Sequence, residues 1–142
     1  MTYDDALLRR ILTETKTIAC VGMSRNQARP SYYVSEFLTQ RGFRVIPVNP
    51  VYEGQRLLGE TVRPNLRSID DKGAVDMVDI FRKSEDVLPV VQEALDCLPC
   101  LKVIWMQLGI ENAEAAALAE QKGITVIQNR CPKIEYPRLI GA

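Results

Sequence analysis

The chain has 142 residues, 18 lysines and arginines against 18 aspartates and glutamates, and no histidine. Zero formal charge argues against a general nucleic-acid binder, which needs a basic surface to release counterions, and against a polybasic membrane anchor. Without imidazole there is no histidine general acid or base, no Ser-His-Asp or Cys-His nucleophile system and no histidine-ligated metal. Apolar content of 46% and charged content of 25% are those of an ordinary globular domain. One domain over residues 1–142 is therefore expected.

The first residues, MTYDDALLRR, put acids first and lack an apolar core, so they do not read as a signal peptide. The expected location is the cytoplasm, with four reduced cysteines. Thr2 and Asp5 resemble a capping box, and Ala6, Leu7, Leu8, Ile11 and Leu12 form an apolar stripe, which predicts a helix over 3–14. Residues 17–22 are a short apolar run ending in glycine, a buried strand feeding a tight turn. Pro30 suits a first helical position, and that helix runs to Gln40-Arg41 before Gly42. Residues 43–48 form a second strand closed by Pro47 and Pro50. Residues 51–75, punctuated by Gly54, Gly59, Pro64 and Gly73, predict a short strand and one helical turn near Leu66–Ile69. Then follow a strand over 77–81, a helix from Ser84 to about Asp96, and a strand over 101–108. Asn112 caps a helix through Lys122, Gly123 stops it, and residues 124–128 form the last strand.

Strands alternating with helices specify an α/β fold, a three-layer sandwich on a mainly parallel sheet with helices on both faces. Ligands of such sheets bind beyond the carboxyl ends of the strands, near the point where strand order reverses. The candidate segments are accordingly 22–29, 49–50, 81–82, 107–109 and 129–131.

The first turn is the richest of these. Gly22 lets the backbone turn sharply, and the helix opening at Pro30 offers free N–H groups to an anion. A dinucleotide fingerprint has three glycines; this turn has one, with Arg25 and Arg29 instead, and Ser24 and Ser31 adding hydroxyl donors. No acid lies between Thr17 and Ser35, so the stretch carries a local charge of +2. The competing reading is a solvated loop whose arginines pair with distant carboxylates. The second strand ends in Pro47-Val48-Asn49-Pro50, without the acid that NAD-binding folds place there for the ribose. That ending disfavours NAD and suits either a ligand with extra ribose phosphate or simply a rigid exit from the sheet.

The segments VGMSRNQARPSYYV, GFRVIPVNP, LLGETV, VDMVDIFR, VIWMQLG and NRCPKIEY, in this order, resemble the small CoA-binding proteins of bacteria and archaea. These are relatives of the CoA-binding domain of the succinyl-CoA synthetase α subunit, and the likeness covers about residues 10–138. It implies a Rossmann-like fold holding CoA, or an acyl-CoA, across the strand ends. Gly22, Ser24, Arg25 and Arg29 would meet the pyrophosphate, with Pro30 and Ser31 opening the next helix. Asn49 and Pro50 would border the adenosine, Phe81 and Arg82 would cover the ligand, and Gln107 and Gly109 would lie further along the crevice. Of Tyr32 and Tyr33, one ring is expected to pack inward and the other to edge the site; Tyr32 and Met23 are carried as candidate contacts. The synthetase passes phosphate through a histidine in a second domain, and this chain has no histidine.

Cys97-Leu98-Pro99-Cys100 has redox spacing but follows a helix instead of opening one, so these thiols read as structural or incidental. Cys131 sits at the ligand edge between Arg130 and Lys133, whose charges would favour its thiolate, against the alternative of a small buried thiol. Asp76, Asp79 and Glu135 read as surface or capping carboxylates, and Trp105 and Met106 as core. No catalytic residue and no metal ligand set is assigned. The leading expectation is a non-catalytic, cytoplasmic CoA-binding module without nucleic-acid or membrane partners. The alternatives are a CoA-binding component of an acyl-CoA ligase or transferase assembled with a protein partner, and an NAD(P)-binding redox protein.

Overall fold

A computed structural model describes residues 2–141. Seven strands and five α-helices follow one another in the described chain. They are α1 (Asp5–Glu14), β1 (Thr17–Val21), α2 (Pro30–Gln40), β2 (Arg44–Val48), β3 (Arg56–Leu57), β4 (Glu60–Thr61), β5 (Met77–Ile80), α3 (Val87–Cys97), β6 (Val103–Met106), α4 (Ala113–Gln121), β7 (Thr125–Ile127) and α5 (Pro132–Leu139). Five strands form one parallel sheet in the order β2-β1-β5-β6-β7. This is a Rossmann-like α/β fold. The chain steps from β1 outward to β2, then crosses back to place β5 on the other flank of β1. The order therefore reverses between β1 and β5, where a crevice opens beyond the strand ends.

Alternation along the strands sorts the core into two layers. Ala19, Val21, Val78, Ile80, Ile104 and Met106 pack under α3 and α4, against Val87, Val91, Ala115 and Ala119. Ile18, Cys20, Met77, Val103 and Trp105 face the other side, against Leu8 and Ile11 of α1, Val34, Phe37 and Leu38 of α2, and Tyr136 of α5. Strands buried on both faces read as continuous apolar runs, which is why β1 and β6 were legible in the sequence.

The differences from expectation have local causes. Helix α1 starts later than predicted because Asp4, not Thr2, is its cap, accepting from the Ala6 amide at 2.8 Å. Asn112 caps α4 as expected, accepting from the Ala115 amide at 2.9 Å. Residues 51–75 hold a two-stranded hairpin, β3 with β4, where one strand was predicted. Leu58 and Gly59 turn it with φ of 51° and 83°, the two positive values a tight primed turn requires. A leucine at such a position gives no signal in the sequence. Leu66–Ser68 forms the expected helical turn, as a 3-10 segment. Helix α5 was not predicted: Pro132 at its start is a good signal, but Pro137 inside it masks the pattern.

Candidate functional site

The turn after β1 is built for close approach. Gly22 has φ of +90°, and a Cβ placed on it would lie 2.4 Å from the Phe81 carbonyl oxygen. Only glycine fits, because the strand-end turns of β1 and β5 touch there. The loop beyond is held by its own hydrogen bonds. The Ser24 amide donates to Ser31 Oγ at 2.8 Å, the Asn26 amide to Ser24 Oγ at 3.0 Å and the Ala28 amide to Asn26 Oδ1 at 3.0 Å. Asn49 ties the end of β2 to the same loop: its Nδ2 donates to the Met23 carbonyl at 3.0 Å and its Oδ1 accepts from the Val51 amide at 3.0 Å.

A cavity of about 380 Å³ lies over this turn. Gly22, Ser24, Arg29, Pro30, Ser31, Asn49 and Phe81 line it, together with Asn26 and Tyr52. Seven of the candidate contact residues thus meet around one space. Arg82 runs alongside, its Nε 3.4 Å from the Cβ position of Gly22. Arg25 leans the other way, donating to Gln55 Oε1 at 3.3 Å with its guanidinium 5.7 Å from the Tyr52 ring centroid.

The charge layout answers the competing reading of the turn. Arg44 pairs with Glu60 and Asp71, Arg63 with Glu60, Arg67 with Asp96, and Arg138 with Asp5 and Glu135. Arg25, Arg29 and Arg82 make no ion pair among the described residues. The carboxylates of those pairs are held by other arginines, and the three cations of the turn are not neutralised by an ion pair among the described residues.

A second cavity of about 350 Å³ adjoins the first through Pro30 and Phe81. It is lined by Tyr33, Val34, Gln107, Leu108, Ile110, Cys131, Lys133 and Ile134 as well. Here the tyrosine pair resolves. Tyr33 borders this cavity, whereas Tyr32, the ring carried as a contact, packs against the core, because residues one apart on a helix face different ways. The Met23 side chain is fully buried beneath the turn, so it offers a ligand only backbone. Pro50 is exposed and opens a 3-10 turn over Pro50–Tyr52; it does not line either cavity. Gly109, at φ of +79°, is exposed and donates its amide to Asn129 Oδ1 at 2.7 Å, outside both cavities.

Two carboxylates expected to be alike differ sharply. Asp76 accepts from the Lys16 and Thr17 amides at 3.0 Å, a capping role as expected. Asp79 lies inside β5, fully buried, paired in register with Cys20 and Trp105. Gln107 Nε2 donates to its Oδ1 at 2.6 Å, while Oδ2 has no partner. Burial pushes the Asp79 carboxyl up to about 7. The surface reading of Asp79 is thereby corrected; the strand's alternation put it on an inner face. For Cys131 the structure agrees with the small buried thiol and not with the thiolate. Burial raises its thiol above the ordinary value, outweighing the Lys133 and Ile134 amides and the Lys133 charge, so the thiolate is disfavoured. Tyr52, Ile134 and the burial of Asp79 are the parts of this region that sequence reasoning missed. Tyr52 stands three residues past Asn49, and that spacing was the available signal.

A CoA-binding domain model matches residues 16–137, nearly the whole chain. The chain belongs to the CoA-binding domain family. It is 37% identical over 131 residues to an uncharacterised Bacillus subtilis protein, YneT, covering 92% of this chain and 93% of that one. It is also similar to the solved structure of a hypothetical protein from Pyrococcus horikoshii OT3, with 36% identity, a TM-score of 0.90, and coverage of 98% of this chain and 94% of that one. An acetyl-coenzyme A synthetase from Candidatus Korarchaeum cryptofilum shares the fold at 24% identity and a TM-score of 0.66, over 84% of this chain and 26% of the synthetase. No helix of the described residues is long and apolar enough to cross a membrane.

Proposed function

We propose that this protein binds coenzyme A, free or as a short acyl thioester, across the carboxyl ends of β1, β2, β5 and β6. The observation that carries the reading is the set of arginines without ion-pair partners around the Gly22 turn, at the reversal point of the sheet. Arg29 and Arg82 flank the space where the ligand's phosphates go, with Ser24 and Ser31 beside them. Asn49 orders the loop, and Tyr52 offers a ring edge toward the adenosine side. The family supports this reading, and so does the second cavity, which gives the remainder of a long ligand somewhere to lie.

The proposed role is binding without chemistry. The chain carries no histidine, the residue through which the resembled synthetase passes its phosphoryl group. A second reading, a CoA-binding component working with a ligase partner, is favoured by the likeness of this fold to a quarter of a synthetase chain. Thioester formation on mixing the protein with an ATP-using partner from the same cell would establish it.

Calorimetric titration with CoA, acetyl-CoA, NAD and NADP tests the main reading. CoA is expected to bind and NAD is not; binding confined to the nicotinamide nucleotides would overturn the proposal. Arg29→Ala and Arg82→Ala should each weaken CoA roughly ten- to a hundredfold, the range for a charge-assisted hydrogen bond, and flatten the salt dependence. Unchanged affinity in both variants would remove the phosphate assignment.

A further inference from the structure

At the opposite end of the sheet, beside the first residues of β1 and β2, a cavity of about 450 Å³ lies between the last turns of α1 and α2 and the second half of α5. Leu12, Lys16, Arg41, Phe43, Tyr136 and Ile140 are among its walls. Helix α2 stops at Gln40, and Gly42 at φ of +98° turns the chain into β2, which leaves Arg41 on the last turn. From there Arg41 lies back over Phe37, four residues earlier on the same face, with its guanidinium carbon 4.3 Å from the ring centroid. Tyr136 packs edge-to-face with both Phe37 and Phe43, at 5.9 and 6.0 Å between centroids, so the aromatic wall is rigid. Stacking on that wall orients the guanidinium plane. Arg41 Nε is buried and has no hydrogen-bond partner among the described residues, and a buried charged donor left unmet is costly. The α2 dipole accounts for a cation at this end. Yet the last α2 carbonyls accept from the Arg41, Gly42 and Phe43 amides, and Nε stays unmet. Lys16 adds a second cation; neither it nor Arg41 makes an ion pair among the described residues, and none of the described residues lining the cavity is acidic. The Asp76 carboxylate meets the backbone amide of Lys16 at 3.0 Å and forms no ion pair with its ammonium.

We infer that this cavity is a separate binding site for a small organic carboxylate with an apolar body, its carboxylate held by Arg41 and Lys16. A carboxylate matches a guanidinium fork through two parallel hydrogen bonds, and the Nε edge of Arg41 supplies one of the two donors. Lys16 contributes a point charge beside it. The apolar body lies against Phe43 and Tyr136, with Leu12 and the exposed Ile140 closing over it. The volume falls in the small-molecule range of about 300–1,000 Å³. A bare anion would leave the aromatic wall uncovered, and a purely apolar molecule would leave Arg41 Nε unmet, so the ligand carries both parts. No residue lining this cavity lines the one over the Gly22 turn, and the inference stands apart from the CoA reading.

Calorimetric titration of the unsubstituted protein with four probes tests the two parts: 3-phenylpropionate, which has both; acetate, which lacks the body; 3-phenyl-1-propanol, which lacks the charge; and inorganic phosphate. 3-Phenylpropionate is expected to bind one to one, and each of the others about tenfold or more weakly. Arg41→Lys keeps the charge but loses the fork and its Nε, and should weaken 3-phenylpropionate about tenfold. Lys16→Gln, at an exposed position, should weaken it several-fold, with the larger loss at low salt. A cooperative thermal melt shows that Arg41→Lys is folded; if it is not, the probe series and Lys16→Gln decide. Saturating CoA should leave the affinity for 3-phenylpropionate unchanged. Absence of saturable binding, equal binding of the alcohol, acetate or phosphate, or unchanged affinity in both variants would overturn the site. Displacement by CoA would put the probe in the other crevice and overturn it too. Binding of 3-phenylpropionate is expected whether or not the protein takes CoA, so failure of one reading is distinguishable from failure of the other.

Discussion

Asp79 stands on the central strand with one carboxylate oxygen bonded to Gln107 and the other without a partner. Burial raises its pKa from 3.8 to about 7, so the native state holds a proton that the unfolded chain releases. Stability linked to this group is greatest below pH about 4, and it falls as pH rises to about 7, where the native carboxyl also ionises. Asp79→Asn should remove that slope. The difference in unfolding free energy between variant and wild type, followed by urea titration, is expected to move in the variant's favour by a few kcal/mol between pH 4 and pH 8. A constant difference across that range would mean that Asp79 titrates normally. The same residue shows the limit of reading side chains singly: in the sequence, Asp79 and Asp76 look interchangeable, but one is buried inside β5 and the other stays half-buried just before it, bonded to two amides.

Elements meet most tightly where the turn after β1 touches the end of β5. Gly22→Ala would force a Cβ to within 2.4 Å of the Phe81 carbonyl at a φ of +90°, and neither backbone can yield without opening the crevice. The expected result is destabilisation by roughly 2–4 kcal/mol in thermal or urea unfolding, with loss of CoA binding. A stable variant that still binds would show that the two turns move apart freely. Most elements were legible because their signals are local. Apolar runs marked β1, β5 and β6, Pro30 opened α2, and Gly42 and Gly123 stopped α2 and α4 with positive φ. The hairpin β3–β4 and helix α5 were not legible. Leu58 in a left-handed conformation and Pro137 inside a helix both defy propensity, and tertiary packing holds them there.

For the molecule as a whole, zero net charge still leaves several arginines without an ion-pair partner among the described residues, three of them beside one turn. Arg44, Arg63, Arg67 and Arg138 are matched to carboxylates, while Arg25, Arg29 and Arg82 at the sheet's carboxyl end are not. A ligand that binds only the native state raises stability by about 2.7 kcal/mol at a hundred times its dissociation constant. Saturating CoA should therefore raise the melting temperature on the order of 10 °C, with the rise shrinking in high salt as the crevice is screened. NAD should leave the melting temperature unchanged. A salt-independent shift would mean that the arginines do not hold the phosphates.

The candidate site was legible in outline for the same reason as the fold. A glycine followed by arginines and serines after a buried strand is a local pattern, and Gly22, Ser24, Arg29, Ser31, Asn49 and Phe81 do converge on one cavity. Local pattern was enough for the alternation of strands and helices, from which the parallel sheet followed by rule, and six ordered segments over about residues 10–138 carried the family likeness. Which tyrosine faces the crevice, which arginine stays unpaired, and that Gln107 is held by a carboxylate 28 positions earlier were decided by the tertiary structure. Those facts depend on crossovers and register that bring distant strand ends together, and a burial-dependent property such as the charge of Asp79 does not exist until they meet.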